Sequence, residues 1–183
     1  MEPVDRNALL AAMDEQVARF ERIAAHAARF ASASVYTDSW TVRELMCHLA
    51  VYYPEREVAD QMRRLRRTVE PGRMSPRPGF DIDAANEERI RAYDDVALPD
   101  VLDVVRRGRK AIRAAVAELE PDFLEHLVDG TPWGDRIPVR RIVAESTYVH
   151  DRGHLDELEA AILKLDPSIA AGAAGSQPPR AGA

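Results

Sequence analysis

Cysteine is almost missing from this chain: Cys47 is the only one among 183 residues. No intramolecular disulfide can form, which fits a reducing cytoplasm. Lysine is scarce as well. Only Lys110 and Lys164 interrupt a basic complement that is otherwise arginine, a bias that, with the abundant alanine, looks like a GC-rich genome more than a physical adaptation. No stretch approaches the roughly 18 consecutive apolar residues of a membrane-spanning helix. The segment Met1 to Leu10 carries acidic residues and no long apolar run, so it does not read as a signal peptide. A surplus of positive charge is also lacking. The net charge is −6 and the isoelectric point about 5.4, whereas a general nucleic-acid binder normally carries a basic face. The expectation is a cytoplasmic protein that contacts neither membrane nor nucleic acid.

What remains is ordinary globular material: 46% hydrophobic and 31% charged residues, in a length that suits one domain with a proper core. From Asp5 to about Phe30, Leu9, Leu10, Met13, Val17, Phe20, Ile23 and Ala24 recur at three- and four-residue intervals, which predicts a helix. His26 falls near its end as a partly exposed residue. A second helix is predicted from about Thr41 to Val69, capped by Asp38, Ser39 or Thr41 with Glu44 in support. Pro54 should kink it or loosen it locally. Its later half, Arg63-Arg64-Leu65-Arg66-Arg67, reads as a solvated face or the rim of an entrance for an anionic substrate. Proline and glycine make residues 70–80 a loop. A short polar helix over 81–95 carries Asn86. Pro99 opens a helix running to about Leu119, with Gly108 as its weak spot. Residues 121–137 are irregular, with a short turn at Phe123–Leu127, an extended segment near Trp133, and His126 lacking any partner spacing. The result is an all-α chain: a four-helix bundle over 1–166 with one crossover connection, the long 70–98 link, followed by a disordered tail over 167–183.

The chemistry gathers late, in Val149-His150-Asp151-Arg152-Gly153-His154-Leu155. One long helix is predicted from Pro138 to Leu165. At about 100° per residue, Val143, His150, His154, Leu158, Ala161 and Leu165 share a side. Two histidines four apart then lie one turn from each other in the middle of an apolar stripe. A single buried histidine is usually a hydrogen-bonded core residue; two in register suggest a cation. His48, at the flank of the apolar face of the second helix, is the candidate third ligand. Three imidazoles from two helices suit zinc or another first-row divalent ion and leave a position open for water or substrate. Cys47 diverges from His48 by about 100° around the helix, so it reads as a small buried thiol. Glu44 and Glu157 are placed to orient an imidazole from behind, although an exposed helix charge is the simpler reading of each. Tyr52 and Asn86 are possible cavity-lining groups. Trp40 and Trp133 read as packing residues.

The segment Trp40-Thr41-Val42-Arg43-Glu44-Leu45-Met46-Cys47-His48-Leu49-Ala50 resembles the tryptophan–helix–histidine segment of the DinB-like superfamily, and His150 to Leu155 resembles its final H-x-x-x-H-L segment. The resemblance extends over about residues 5–165. It implies a four-helix bundle with a crossover, often homodimeric, and a nickel or zinc site whose ligands, carried over, are His48, His150 and His154. Characterised relatives include thiol-dependent S-transferases and the mycothiol-dependent maleylpyruvate isomerases. The isomerases typically carry a glutamate where this chain has His150, and many add a C-terminal domain. The expected activity is therefore transfer of a low-molecular-weight thiol, such as mycothiol, to a small electrophile. A hydrolase using metal-activated water and a non-enzymatic, stress-associated metal-binding protein are the alternatives.

Overall fold

The computed structural model describes residues 5–36, 40–74 and 81–169. The chain is mostly helical, in line with the all-α expectation. Helix α1 spans Arg6–Ala27. Asp5 caps it, its carboxylate accepting from the Ala8 amide at 2.8 Å, and satisfies a donor that a helix start otherwise leaves without a partner. Helix α2 spans Val42–Tyr52 and opens on a capping box. The Thr41 hydroxyl accepts from the Glu44 amide while the Glu44 carboxylate accepts from the Thr41 amide at 2.7 Å. Glu44 is thus committed to the cap and does not orient His48. The other two candidate caps, Asp38 and Ser39, lie outside the described residues.

The single helix expected over 41–69 is in fact two. Proline has no amide to donate and its ring obstructs the preceding turn. The chain leaves α2 at Tyr53, makes a short 3-10 turn at Glu55–Glu57, and starts again as α3 over Val58–Val69. Helix α4 spans Ile82–Arg91 and α5 spans Leu98–Ala117. The break in α2–α3 explains Gly108. A Cβ on Gly108 would sit 2.0 Å from the Tyr53 carbonyl oxygen. The glycine is therefore the point where α5 meets the broken backbone, not a weakness of the helix.

Helix α6 spans Pro121–Glu125, and the strands β1 (Leu127–Val128) and β2 (Ile137–Pro138) pair antiparallel around the turn that holds Trp133. The extended chain expected near Trp133 thus flanks it on both sides. Helix α7 (Val139–Ala144) and helix α8 (His150–Leu165) are joined without interruption by a π-helical segment, Glu145–Val149. The expected long helix is present, but a π segment carries one residue more than an α-helix of the same rise. Everything after it is rotated by one residue relative to a regular helical wheel. The buried positions of α8 are Asp151, Leu155, Leu158 and Ile162, not His150, His154, Ala161 and Leu165. Leu165 is exposed, and the two histidines are half-buried at the flank of the stripe.

Helix α5 packs against α1, α2 and α3, and α8 packs against α1 and α2. One apolar cluster joins Phe20, Leu45, Leu49, Leu102, Leu155 and Leu158. A second joins Leu9, Met13, Tyr53, Ile112, Ile142 and Tyr148. Of the tail expected to be disordered, Pro167 to Ile169 are described. The Ser168 amide donates to Asp166 and Ile169 packs on the first cluster. Residues 170–183 lie outside the described residues. Among the described residues, no helix is long and apolar enough to cross a membrane.

Candidate metal centre

Helix α2 presents His48 and the first two turns of α8 present His150 and His154. The three contribute one ring nitrogen each to a group whose members all lie within 4.8 Å of one another. The three residues singled out in the sequence thus come together in space. His48 Nε2 and His150 Nε2 are 3.1 Å apart. Two nitrogens bound at about 2.05 Å to one tetrahedral zinc ion are separated by roughly 3.3 Å, so this pair already has the spacing of two ligands on one first-row cation. The donor set fits such an ion.

Neighbouring groups orient the rings. His154 Nδ1–H donates to Glu157 Oε2 at 2.9 Å, which directs Nε2 inward. The Tyr36 hydroxyl donates to the same carboxylate oxygen. Glu157, unlike Glu44, does support an imidazole from behind. The Tyr52 ring lies flat on His150, centroids 3.8 Å apart at 13°, and Trp40 leans over His48 at 4.9 Å. Trp40, expected only to pack, is thus part of the wall of the site, as is Tyr52. His48 is 3% exposed, and its Nδ1 is buried without a partner.

Below the cluster lies a group that the sequence reading missed. Arg109 of α5 and Asp151 form a buried ion pair, Nε to Oδ2 at 2.5 Å and Nη2 to Oδ1 at 2.7 Å. Asp151 Oδ1 is also 3.5 Å from His150 Nδ1. Burial pushes the Asp151 carboxyl up, but the Arg109 charge and the surrounding hydrogen bonds win and hold it below the usual carboxylate range. The available signal was an aspartate beside a histidine; its burial follows only once the one-residue rotation from the π segment is known. Burial, with the two neighbouring imidazoles, pushes His48 down to about 3. Burial chiefly lowers His154 too, against the opposing pull of Glu157. At neutral pH His48 and His154 are therefore uncharged, with lone pairs available to a cation.

The remaining candidates lie elsewhere. Cys47 is 2% exposed and outside the cluster; burial pushes its thiol up to about 11, which makes it the structural residue expected. His26 is partly exposed on α1. His126 is pinned to the Val69 carbonyl through Nε2 at 3.1 Å. Asn86 lines neither the cluster nor a neighbouring cleft of about 640 Å³. Tyr52, Trp133 and Arg64 do line that cleft. Of the other arginines at 63–67, Arg63 pairs with Asp60 and Arg66 with Glu120.

No family model matches the chain, and no curated protein matches it. Its fold is shared by a solved structure, the colibactin self-resistance protein ClbS in complex with a double-stranded DNA. The similarity has a TM-score of 0.66 and covers 88% of this chain and 97% of that one at 15% identity. At that identity the likeness speaks to the fold alone, and the DNA belongs to ClbS. It nevertheless corrects the exclusion of nucleic acid drawn from composition. A chain folded this way has been crystallised on duplex DNA. Net charge is a sum over the whole molecule and does not decide what one face contacts. The expectation of no nucleic acid among the partners is withdrawn.

Proposed function

We propose that the chain is a divalent-metal-dependent enzyme of the DinB-like kind, with α1, α2, α5 and α8 as its four-helix bundle and the 70–98 link as the crossover. Zinc or nickel would be held by His48, His150 and His154. The reaction we favour is transfer of a low-molecular-weight thiol, mycothiol or a similar compound, to a small electrophile. The observation that carries this reading is the convergence of three imidazoles from two separate helices, with burial favouring the neutral form of His48 and His154. A bound first-row cation would supply Lewis acidity, lowering the pKa of a thiol or water at the open position. The protein's own part is to hold the rings. Glu157 fixes His154, Tyr52 and Asp151 flank His150, and Trp40 shields His48 from solvent. In the transfer, the sulfur gives its electron pair to the electrophilic carbon as the bond to the leaving group breaks, and the thiol proton passes to solvent.

The test begins with metal content. Purified protein, or protein reconstituted with zinc or nickel, should carry about one equivalent, and a His150→Ala/His154→Ala variant should carry none. In a Trp133→Phe background Trp40 is the sole tryptophan. Nickel should quench its emission with saturation at one equivalent, because the Trp40 ring is 4.9 Å from His48. The loaded protein should then consume a thiol in the presence of 1-chloro-2,4-dinitrobenzene. Thiol-independent turnover would move the reading to a hydrolase. Metal binding without turnover across several thiols would move it to a non-enzymatic protein. Absence of metal binding would reduce the histidines to packing residues.

The ClbS–DNA complex favours a second reading, contact of duplex DNA along the basic face of α3. Arg63, Arg64, Arg66 and Arg67 are all exposed there. Binding of a fluorescent duplex that weakens steeply with salt, and weakens further in Arg64→Gln/Arg67→Gln, would support it. No binding at low salt would remove it.

A further inference from the structure

The cleft of about 640 Å³ opens between the α2–α3 break, α3, the end of α4 and the α7–π segment. Its volume lies in the range of sites that enclose a small ligand. Tyr93, Trp133, Met62, Leu65 and Met74 supply aromatic and apolar wall. Among the described residues, three cations, Arg56, Arg64 and Arg89, stand on the lining beside a single carboxylate, Glu57. Glu57 is 3.7 Å from Arg56, whereas Arg64 and Arg89 form no ion pair among the described residues. In a chain of net charge −6, this opening is locally positive. Gln61, also on the lining, donates its amide nitrogen to the Tyr52 carbonyl at 3.1 Å and so braces the wall at the α2–α3 break.

We propose that this cleft is a binding site for a small molecule with an aromatic or apolar body and an anionic group, the body lying against Trp133 and Tyr93 and the anion meeting Arg64 and Arg89. Tyr52 is the wall this cleft shares with the three histidines: one side chain both lines the cleft and stacks on His150. A molecule bound here is therefore one aromatic ring away from the candidate metal centre. That it is the substrate of that centre rests on the function proposed above; that the cleft binds it does not.

The experiment uses the full-length, metal-free protein and two dyes. One is 8-anilinonaphthalene-1-sulfonate, aromatic and anionic. The other is N-phenyl-1-naphthylamine, of similar shape but uncharged. The sulfonate dye should bind at one equivalent. Because Arg64 and Arg89 are exposed, an Arg64→Gln/Arg89→Gln variant keeps the core intact. It should weaken the sulfonate dye about tenfold, the scale of one or two charge-assisted contacts, and leave the neutral dye unchanged. Thr68→Phe, which fills the cleft from α3, should weaken both. The His150→Ala/His154→Ala variant should lose metal and keep the dye. Absence of dye binding in a protein that binds metal would overturn the cleft proposal and spare the metal site. Dye binding in a protein that holds no metal would do the reverse. Equal loss of both dyes in the arginine variant would overturn the assignment of the anion to Arg64 and Arg89.

Discussion

Replacing Gly108 with alanine sets two rules against each other. In the interior of a helix, glycine to alanine normally gains about 1 kcal/mol, because alanine loses less backbone entropy. Gly108 lies well inside the twenty-residue helix α5, so propensity alone predicts a stabilised protein. The packing predicts the opposite. The new methyl would lie 2.0 Å from the Tyr53 carbonyl oxygen and 3.1 Å from its carbon, where carbon and oxygen normally stay about 3.3 Å apart or more. The obstacle is backbone, and it is held by the Tyr53 hydroxyl donating to the Ser146 carbonyl and by the buried Tyr53 ring. Either α5 or the α2–α3 break must retreat by more than an ångström. Overpacking of this kind costs roughly 1–3 kcal/mol, and with a rigid obstacle we place it at the upper end. After the propensity gain, Gly108→Ala should be destabilised by about 2 kcal/mol. With a urea slope of about 2 kcal/mol/M, the unfolding midpoint should fall by about 1 M. A midpoint equal to or above the wild type would refute the close approach. The same variant should bind metal more weakly, since Tyr52 adjoins the displaced residue and stacks on His150.

The buried ion pair gives a second prediction: Asp151→Leu or Arg109→Met alone should lose about 3–5 kcal/mol in urea unfolding, and Arg109→Met/Asp151→Leu together much less. Additive losses in that cycle would show that the two charges do not depend on each other. A third concerns pH. His48 takes up its proton near 6.5 when unfolded but only near 3 when folded, so the unfolded chain binds the extra proton between those values. Stability of the metal-free protein should be full above pH 6.5 and fall as the pH drops toward 3, by at most about 1.4 kcal/mol per unit from this residue. A His48→Leu variant should show a shallower fall, and an identical slope would contradict the assignment. Fourth, Cys47 should resist Ellman's reagent at pH 8 in the native protein and react in full in urea; rapid native reaction would mean that the thiol is not enclosed.

Periodicity and proline chemistry carried much of the fold. Leu9, Met13, Phe20 and Ile23 mark the buried face of α1, and Pro54 marks a disruption in its true place. It broke the helix instead of bending it because Tyr53 leaves the helical region before the proline. His48, His150 and His154 were legible because helical spacing and the choice of imidazole survive a modest error in rotation. Asp151 was not, because a wheel drawn from Val143 runs out of step after the π segment and centres the buried stripe on His150 and His154 instead of Asp151 and Leu155. The partner of Asp151, Arg109, lies forty-two residues away on α5, beyond the reach of local pattern. The Tyr53–Gly108 contact is equally non-local, so the glycine looked like a defect. The basic residues of α3 were visible, but only folding shows that Arg64 faces the cleft alongside Arg56 and Arg89.

The π segment also bears on how this chain should be lined up with others. A π turn inside an α-helix is the mark of one inserted residue. Remove one residue between Val143 and His150 and the stretch closes as plain α-helix, with α7 and α8 each facing as they do now. What disappears is the local widening at the Ser146 carbonyl, which receives the Tyr53 hydroxyl. A chain one residue shorter at this point would share the helical fold and the three imidazoles without sharing the register. An ungapped comparison running back from the histidines would then set Ile142 and Val143 against the wrong positions, and the inheritance of this helix would be misread wherever the gap was left out.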